Sequence, residues 1–175
     1  NLIKRLWPNS LFGLGLNNNK GVLKMGYTHY WGFKKTAKAE ILEKNYQKAI
    51  KKSTDFLRWY DNEIDSLSGY SAKSKKKYYG GIKVNGARDD AHEEFCLREH
   101  FAQNEDDFCK TARKNYDDAV VGVLCIMKHY LKDAIEVSSD GDAEDWDRGW
   151  LLAREFTKLK TLKNAMNQLG RLRVI

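Results

Sequence analysis

The sequence predicts an α+β fold of the ferredoxin-like, split βαβ kind: a βαββαβ sandwich with an additional C-terminal helix. Three observations carry that expectation. Aromatic and β-branched residues alternate with period two in "GYTHYWGF", residues 26–33, as a half-buried strand requires. Apolar residues recur at spacings of four and seven between Thr36 and Ile64, among many lysines and glutamates, which is the stripe of an amphipathic helix. Beyond it, strand-like and helix-like runs interleave in the order strand, strand, helix, strand, helix.

In the first strand Tyr27, His29, Trp31 and Phe33 share one face, and Thr28 and Tyr30 take the other. The first helix buries Leu42, Tyr46, Ile50, Leu57 and Ile64, with Thr36 as its N-cap. Residues 66–81, "SLSGYSAKSKKKYYGG", read as a solvated connection. Two strands follow, 82–85 and 92–101, with Asn85-Gly86 marking a turn between them. In the second, Phe95, Leu97 and Phe101 face one way, and Glu94, Cys96, Arg98 and His100 the other. Residues 102–115 read as a loop. A helix from Tyr116 to Leu131 is apolar almost all round, so it is expected to be buried on most faces. "AIEVSSDG", residues 134–141, is a short strand. Asp140 or Asp142 then caps a last helix, lined by Trp146, Trp150, Leu152, Phe156, Leu159, Leu162, Met166 and Leu169. In the split βαβ topology the first and third strands are central and parallel.

A length of 175 residues, 42% of them hydrophobic, suits one domain with a real core, expected over residues 25–175. Residues 1–24 read as an N-terminal extension outside it, with Pro8, an Asn run at 17–19, scattered Gly and no acid. A signal peptide is the competing reading, with Lys4 and Arg5 before "SLFGLGL"; that apolar stretch is short and Gly-broken, and no small-residue cleavage site follows. The extension carries four of the chain's seven net positive charges. The body is therefore only mildly basic, which weakens a nucleic-acid reading. No apolar run approaches the roughly 18 residues of a membrane span. Cys96, Cys109 and Cys125 lack paired spacing, so the expected compartment is a reducing cytoplasm, that of the host cell if the chain is phage-encoded.

"MGYTHYW" at 25–31, "FCKTARKNYD" at 108–117 and "VSSDGDAEDW" at 137–146 together resemble a family of proteins from bacteriophages and bacterial genomes. Its members commonly begin with the same Met-Gly-Tyr-Thr-His-Tyr stretch. The resemblance spans roughly Met25 to Trp150 and implies that Met25 starts the fold. Family members often have Pro where this chain has Asn115, which removes a rigid lead into the helix but no obvious chemistry. The resemblance brings no reaction or cofactor with it.

The candidate chemistry lies in those blocks. Lys110, Thr111 and Arg113, with Lys114, precede a helix N-terminus, whose free N–H groups and partial positive charge favour a phosphate. The competing reading pairs Lys110 and Arg113 with acids of the fold such as Glu93, Glu94 or Asp117. The same cations would favour a Cys109 thiolate if it were exposed. Tyr27, His29 and Tyr30 are expected to contact the rest of a ligand, and Ser139 and Asp140 to orient a sugar or a metal. His29 and Asp140 are the candidates for acid–base chemistry, if they meet within hydrogen-bond reach. Asp140, Asp142, Glu144, Asp145 and Asp147 are oxygen donors, yet an acidic first helical turn accounts for most of them, so no metal site is expected. One difficulty is geometric. In the split βαβ topology the 110–113 loop leaves its strand at the end of the sheet opposite Ser139 and Asp140. Two half-sites result unless that loop folds back.

The expected function is a phage-type accessory protein that binds a phosphorylated small ligand such as a nucleotide; whether it is an enzyme stays open. Two alternatives remain. A non-enzymatic factor binding a host protein would show an exposed aromatic patch at Trp146 and Trp150. An RNA- or DNA-binding protein would use Tyr27, His29 and Trp31 as a stacking platform beside Lys75–Lys77.

Overall fold

The computed structural model describes residues 27–34, 39–68 and 81–158. The 1–24 extension, Thr36, Lys75–Lys77, Leu159, Leu162, Met166 and Leu169 lie outside them. The element order is β1 (Thr28–Phe33), α1 (Ala39–Glu63), β2 (Leu67–Ser68), β3 (Ile82–Gly86), β4 (Phe95–Leu97), β5 (Asp106–Lys110), α2 (Asp117–Leu131), β6 (Ile135–Ser139) and α3 (Ala143–Thr157). Short 3-10 turns occupy Arg88–Asp90 and Lys132–Ala134. Among the described residues no helix is long and apolar enough to cross a membrane.

The α+β class is observed, but the expected single sheet is not. Among the described residues two three-stranded antiparallel sheets form instead, ordered β5-β1-β6 and β2-β3-β4. β1 is central as expected, yet both its neighbours run antiparallel to it. The reason is β5. Its segment was expected to be loop, because its side chains give almost no strand pattern: Cys109 alone is buried, while Asp106, Asp107, Phe108 and Lys110 are exposed. Backbone pairing to β1 holds it, and it takes the place a parallel third strand would have filled. The expected strand over 92–101 shrinks to β4, which pairs with β3 in the second sheet.

The helices follow the sequence more closely. α1 buries Leu42, Tyr46, Ala49, Ile50, Ser53, Phe56, Leu57 and Tyr60, one continuous stripe at helical spacing. α2 is buried at every position from Asp117 to Met127, packing against α1, α3 and β6. Asp142 caps α3, its side chain accepting the N–H groups of Glu144 and Asp145, while the Asp145 side chain accepts the N–H of Asp142. That reciprocal cap fixes where the last block enters its helix. Tyr27, His29, Trp31 and Phe33 all face the helices and are nearly fully buried. Trp31 meets Phe95 of the second sheet with ring centroids 4.7 Å apart, and so ties the two sheets together.

Candidate functional site

The strand register brings the expected residues to one end of the sheet. Thr28 pairs with Lys110 and His29 with Cys109 on one side of β1, and His29 pairs with Ser139 on the other. The Asp140 N–H donates to the Thr28 carbonyl at 3.0 Å. The 110–113 turn and Ser139–Asp140 therefore meet at the start of β1. The two-half-site difficulty disappears because β5 runs antiparallel to β1 and delivers the turn there.

At the centre is a buried polar cluster. Asp117, in the first turn of α2, accepts the Thr111 hydroxyl at 2.5 Å and the His29 Nε2–H at 2.7 Å on one carboxylate oxygen. A carboxylate only accepts, so this assigns the ring proton to Nε2 and leaves Nδ1 as the free position. His29 Nδ1 and the Tyr27 hydroxyl are buried with no hydrogen-bond partner among the described residues. The His29 ring stands edge-on to both Tyr27 and Trp146, each 5.0 Å away. Burial first, then the charges of Asp117 and Asp145, hold the Tyr27 phenol above the ordinary tyrosine range. Asp117 lies close enough to act on that phenol electrostatically, but without the geometry of a hydrogen bond.

The rim is ionic. Arg113 grips Asp145 with Nε and Nη2 at 3.3 and 3.2 Å, and its guanidinium lies 4.2 Å above the Tyr27 ring. The pair is part-exposed, 39% for the Arg113 side chain and 24% for Asp145. Ala112 and Arg113 both adopt left-handed φ, 52° and 56°, so two successive non-glycine residues sit where L-residues carry strain.

Several expectations are corrected here. Arg113 takes the fold's own acid, although Asp145 was not among the partners considered. The helix N-terminus is already served by a carboxylate of the chain: Asp90 accepts the Asn115 and Tyr116 N–H groups at 2.8 and 3.0 Å. Cys109 is fully buried and donates to the Glu93 carbonyl; burial pushes its thiol up to about 12, so it is no nucleophile. His29 and Asp140 do not meet. His29 faces inward to Asp117, whereas Asp140 is exposed and accepts the Tyr30 hydroxyl at 3.4 Å. Lys110 and Tyr30 are likewise on the exposed side, while Ser139 is buried and its hydroxyl accepts the Gly141 N–H. The residues thus divide into an outer set, Tyr30, Lys110, Arg113 and Asp140, and an inner set, Tyr27, His29, Thr111 and Ser139.

The aromatic platform is corrected too, since Tyr27, His29 and Trp31 are core residues. Trp146 is 4% exposed, which removes half of the expected surface patch. Asp90 is the site residue that sequence reasoning passed over; the sequence offers Asp117 only as a candidate ion-pair partner of the cations and Asp145 only as part of an acidic helical turn. A signal existed for Asp117: a histidine on a buried strand needs a polar partner, and an acid at the mouth of an apolar helix is the natural one.

Fold and site together define an α+β protein with a buried His–Asp–Thr cluster behind an exposed Arg–Asp rim. Comparison of the chain with models of known protein families, with curated proteins and with solved structures found no match.

Proposed function

We propose that this end of the sheet binds a phosphorylated small ligand, a nucleotide fitting best, with Arg113 as its anion contact. The observation that carries the reading is the state of Arg113: a half-exposed guanidinium on a strained turn, backed by an aromatic ring and held by one part-exposed carboxylate. An ion pair this exposed contributes about 1 kcal/mol or less. A phosphate, which accepts the same two-pronged donor set with more charge, can displace Asp145. Lys110 adds a second cation on the outer side, and Tyr30 with Asp140 offers a ring and an acceptor for the rest of the ligand. His29, Thr111 and Asp117 act from beneath as positioning residues that fix the turn. The resemblance to phage-encoded proteins suits an accessory role in the host cytoplasm, and three free thiols suit a reducing compartment.

Thermal shift with nucleoside mono-, di- and triphosphates, against the bare nucleosides and inorganic phosphate, tests this. A phosphorylated ligand at one hundred times its Kd is expected to stabilise the chain by about 2.7 kcal/mol. Arg113→Ala is expected to abolish the shift, and Arg113→Lys to weaken it. No shift with any phosphorylated compound, or an undiminished shift in Arg113→Ala, would overturn the reading.

A further inference from the structure

We infer, resting on the phosphate reading of Arg113, that the Tyr27 phenol is the third donor of that site, so that the ligand is held by a terminal phosphate with three free oxygens and not by a phosphodiester.

Tyr27 is 2% exposed, and its hydroxyl has no hydrogen-bond partner among the described residues. Buried polar atoms are almost always paired, because an unpaired one loses its water without compensation. Two such atoms lie in the cluster, and they differ in what they can bind. With its proton on Nε2, His29 can only accept at Nδ1, which a phosphate dianion cannot use. The Tyr27 hydroxyl can donate. Burial, then the carboxylates of Asp117 and Asp145, keep its proton on.

Gly141 and Asp145 show where that hydroxyl stands. A Cβ at position 141 would lie 2.5 Å from Tyr27 Cε2, 2.9 Å from its hydroxyl and 2.8 Å from Asp145 Oδ2. The missing side chain lets the phenol lie flush against the loop entering α3, beside the carboxylate that Arg113 holds. Both oxygens of that carboxylate are engaged. Oδ1 accepts the Arg113 Nε–H, and Oδ2 accepts from Nη2 and from the Asp142 N–H at 3.0 Å. A planar carboxylate so placed leaves the hydroxyl unmet. A tetrahedral phosphate on the same guanidinium fork has a further oxygen out of the fork's plane, and the phenol is the neighbouring donor without an acceptor. A phosphodiester has only two free oxygens, both taken by the fork. Asp145 keeps the Asp142 N–H when Arg113 turns to the phosphate.

NMR titration of the full chain with methyl phosphate and with dimethyl phosphate tests this, because the first has three free oxygens and the second two. Methyl phosphate also carries more charge, so the comparison between variants decides. Tyr27→Phe is expected to weaken methyl phosphate about tenfold, the usual size of one hydrogen bond to a charged group, and to leave dimethyl phosphate unchanged. Arg113→Ala is expected to lose both. Without ligand, Tyr27→Phe is expected to melt at a higher temperature than the unaltered chain, since it removes an unpaired buried hydroxyl. Undiminished methyl phosphate binding by Tyr27→Phe, with Arg113→Ala still losing it, would overturn the third donor and leave the phosphate site standing. Equal weakening of both compounds by Tyr27→Phe, or a lowered melting temperature without ligand, would overturn it as well. Failure of the unaltered chain to bind methyl phosphate also overturns it, and the nucleotide screen above then shows whether the phosphate site falls with it.

Discussion

Asp117 and Asp118 are adjacent, both buried, and differently employed. Asp117 is satisfied by two donors from β1 and the 110–113 turn. Asp118 points toward α3, where Arg148 Nη1 meets it at 2.5 Å. One partner does not fully compensate its burial. Desolvation raises the Asp118 carboxyl from 3.8 to about 6, with Arg148 opposing and Asp117 adding. A carboxyl raised in the folded state binds its proton more tightly there than in the unfolded chain. Its contribution to stability is therefore fully present below about pH 4 and is lost as pH rises through about 6, which is the reverse of an ordinary salt-bridged Asp. The swing is about 3 kcal/mol. Asp118→Asn lacks the titration but keeps a side-chain acceptor for Arg148. Denaturant melts of both chains from pH 4 to pH 7.5 are expected to show the variant gaining on the wild type by about that amount as pH rises. Parallel pH profiles would mean that the carboxyl is not buried as described.

At the scale of elements, two glycines let α2 pack closely on its neighbours, Gly149 of α3 against α2 and Gly122 of α2 against α1. A Cβ on Gly149 would lie 2.6 Å from the Val121 Cβ and 2.7 Å from the Asp118 carbonyl oxygen. A Cβ on Gly122 would lie 2.4 Å from the Phe56 ring of α1. In an isolated helix, Gly to Ala gains about 1 kcal/mol. Here overpacking, costing about 1–3 kcal/mol, outweighs that gain, because the opposing atoms include backbone. Gly149→Ala is therefore expected to lower the urea midpoint with an unchanged m-value, and a raised midpoint would show that the helices are not in contact at this point. The helices themselves were legible in sequence, since α1 shows its stripe, α2 its all-round apolarity and α3 its capping acid. β5 was not legible: "DDFCK" buries one side chain, and what makes it a strand is backbone pairing to β1. The gathering of Lys110, Thr111, Arg113, Ser139 and Asp140 at one sheet end depended on that strand. Much of the site's residue list could therefore be read from sequence, while its geometry, and the part played by Asp90, could not. Arg113 with Asp145 and Asp90 with Asn115 are pairings between positions 32 and 25 residues apart, which no local pattern encodes.

For the whole molecule, the consequence is an uneven distribution of stability around α2. This helix touches α1, α3 and β6 and buries residues on every side, so no turn of it can open without exposing core. β5 is different. It contributes one buried side chain, and the N–H groups of Phe108 and Lys110 go to the carboxylates of Asp107 and Glu93. The Arg113 rim, proposed above as a binding site, follows the C-terminal end of this weak strand, where local adjustment costs least. Native-state hydrogen exchange across a denaturant series tests that division. Amides of Val120 to Ile126 are expected to exchange only through global unfolding, with a free energy of about 5–15 kcal/mol and a denaturant slope equal to the equilibrium m-value. Amides of Phe108 and Lys110 are expected to exchange orders of magnitude faster and with almost no slope, because a local opening suffices. A shallow slope for the α2 amides would show that the helix opens on its own, and β5 could then no longer be singled out as the yielding element.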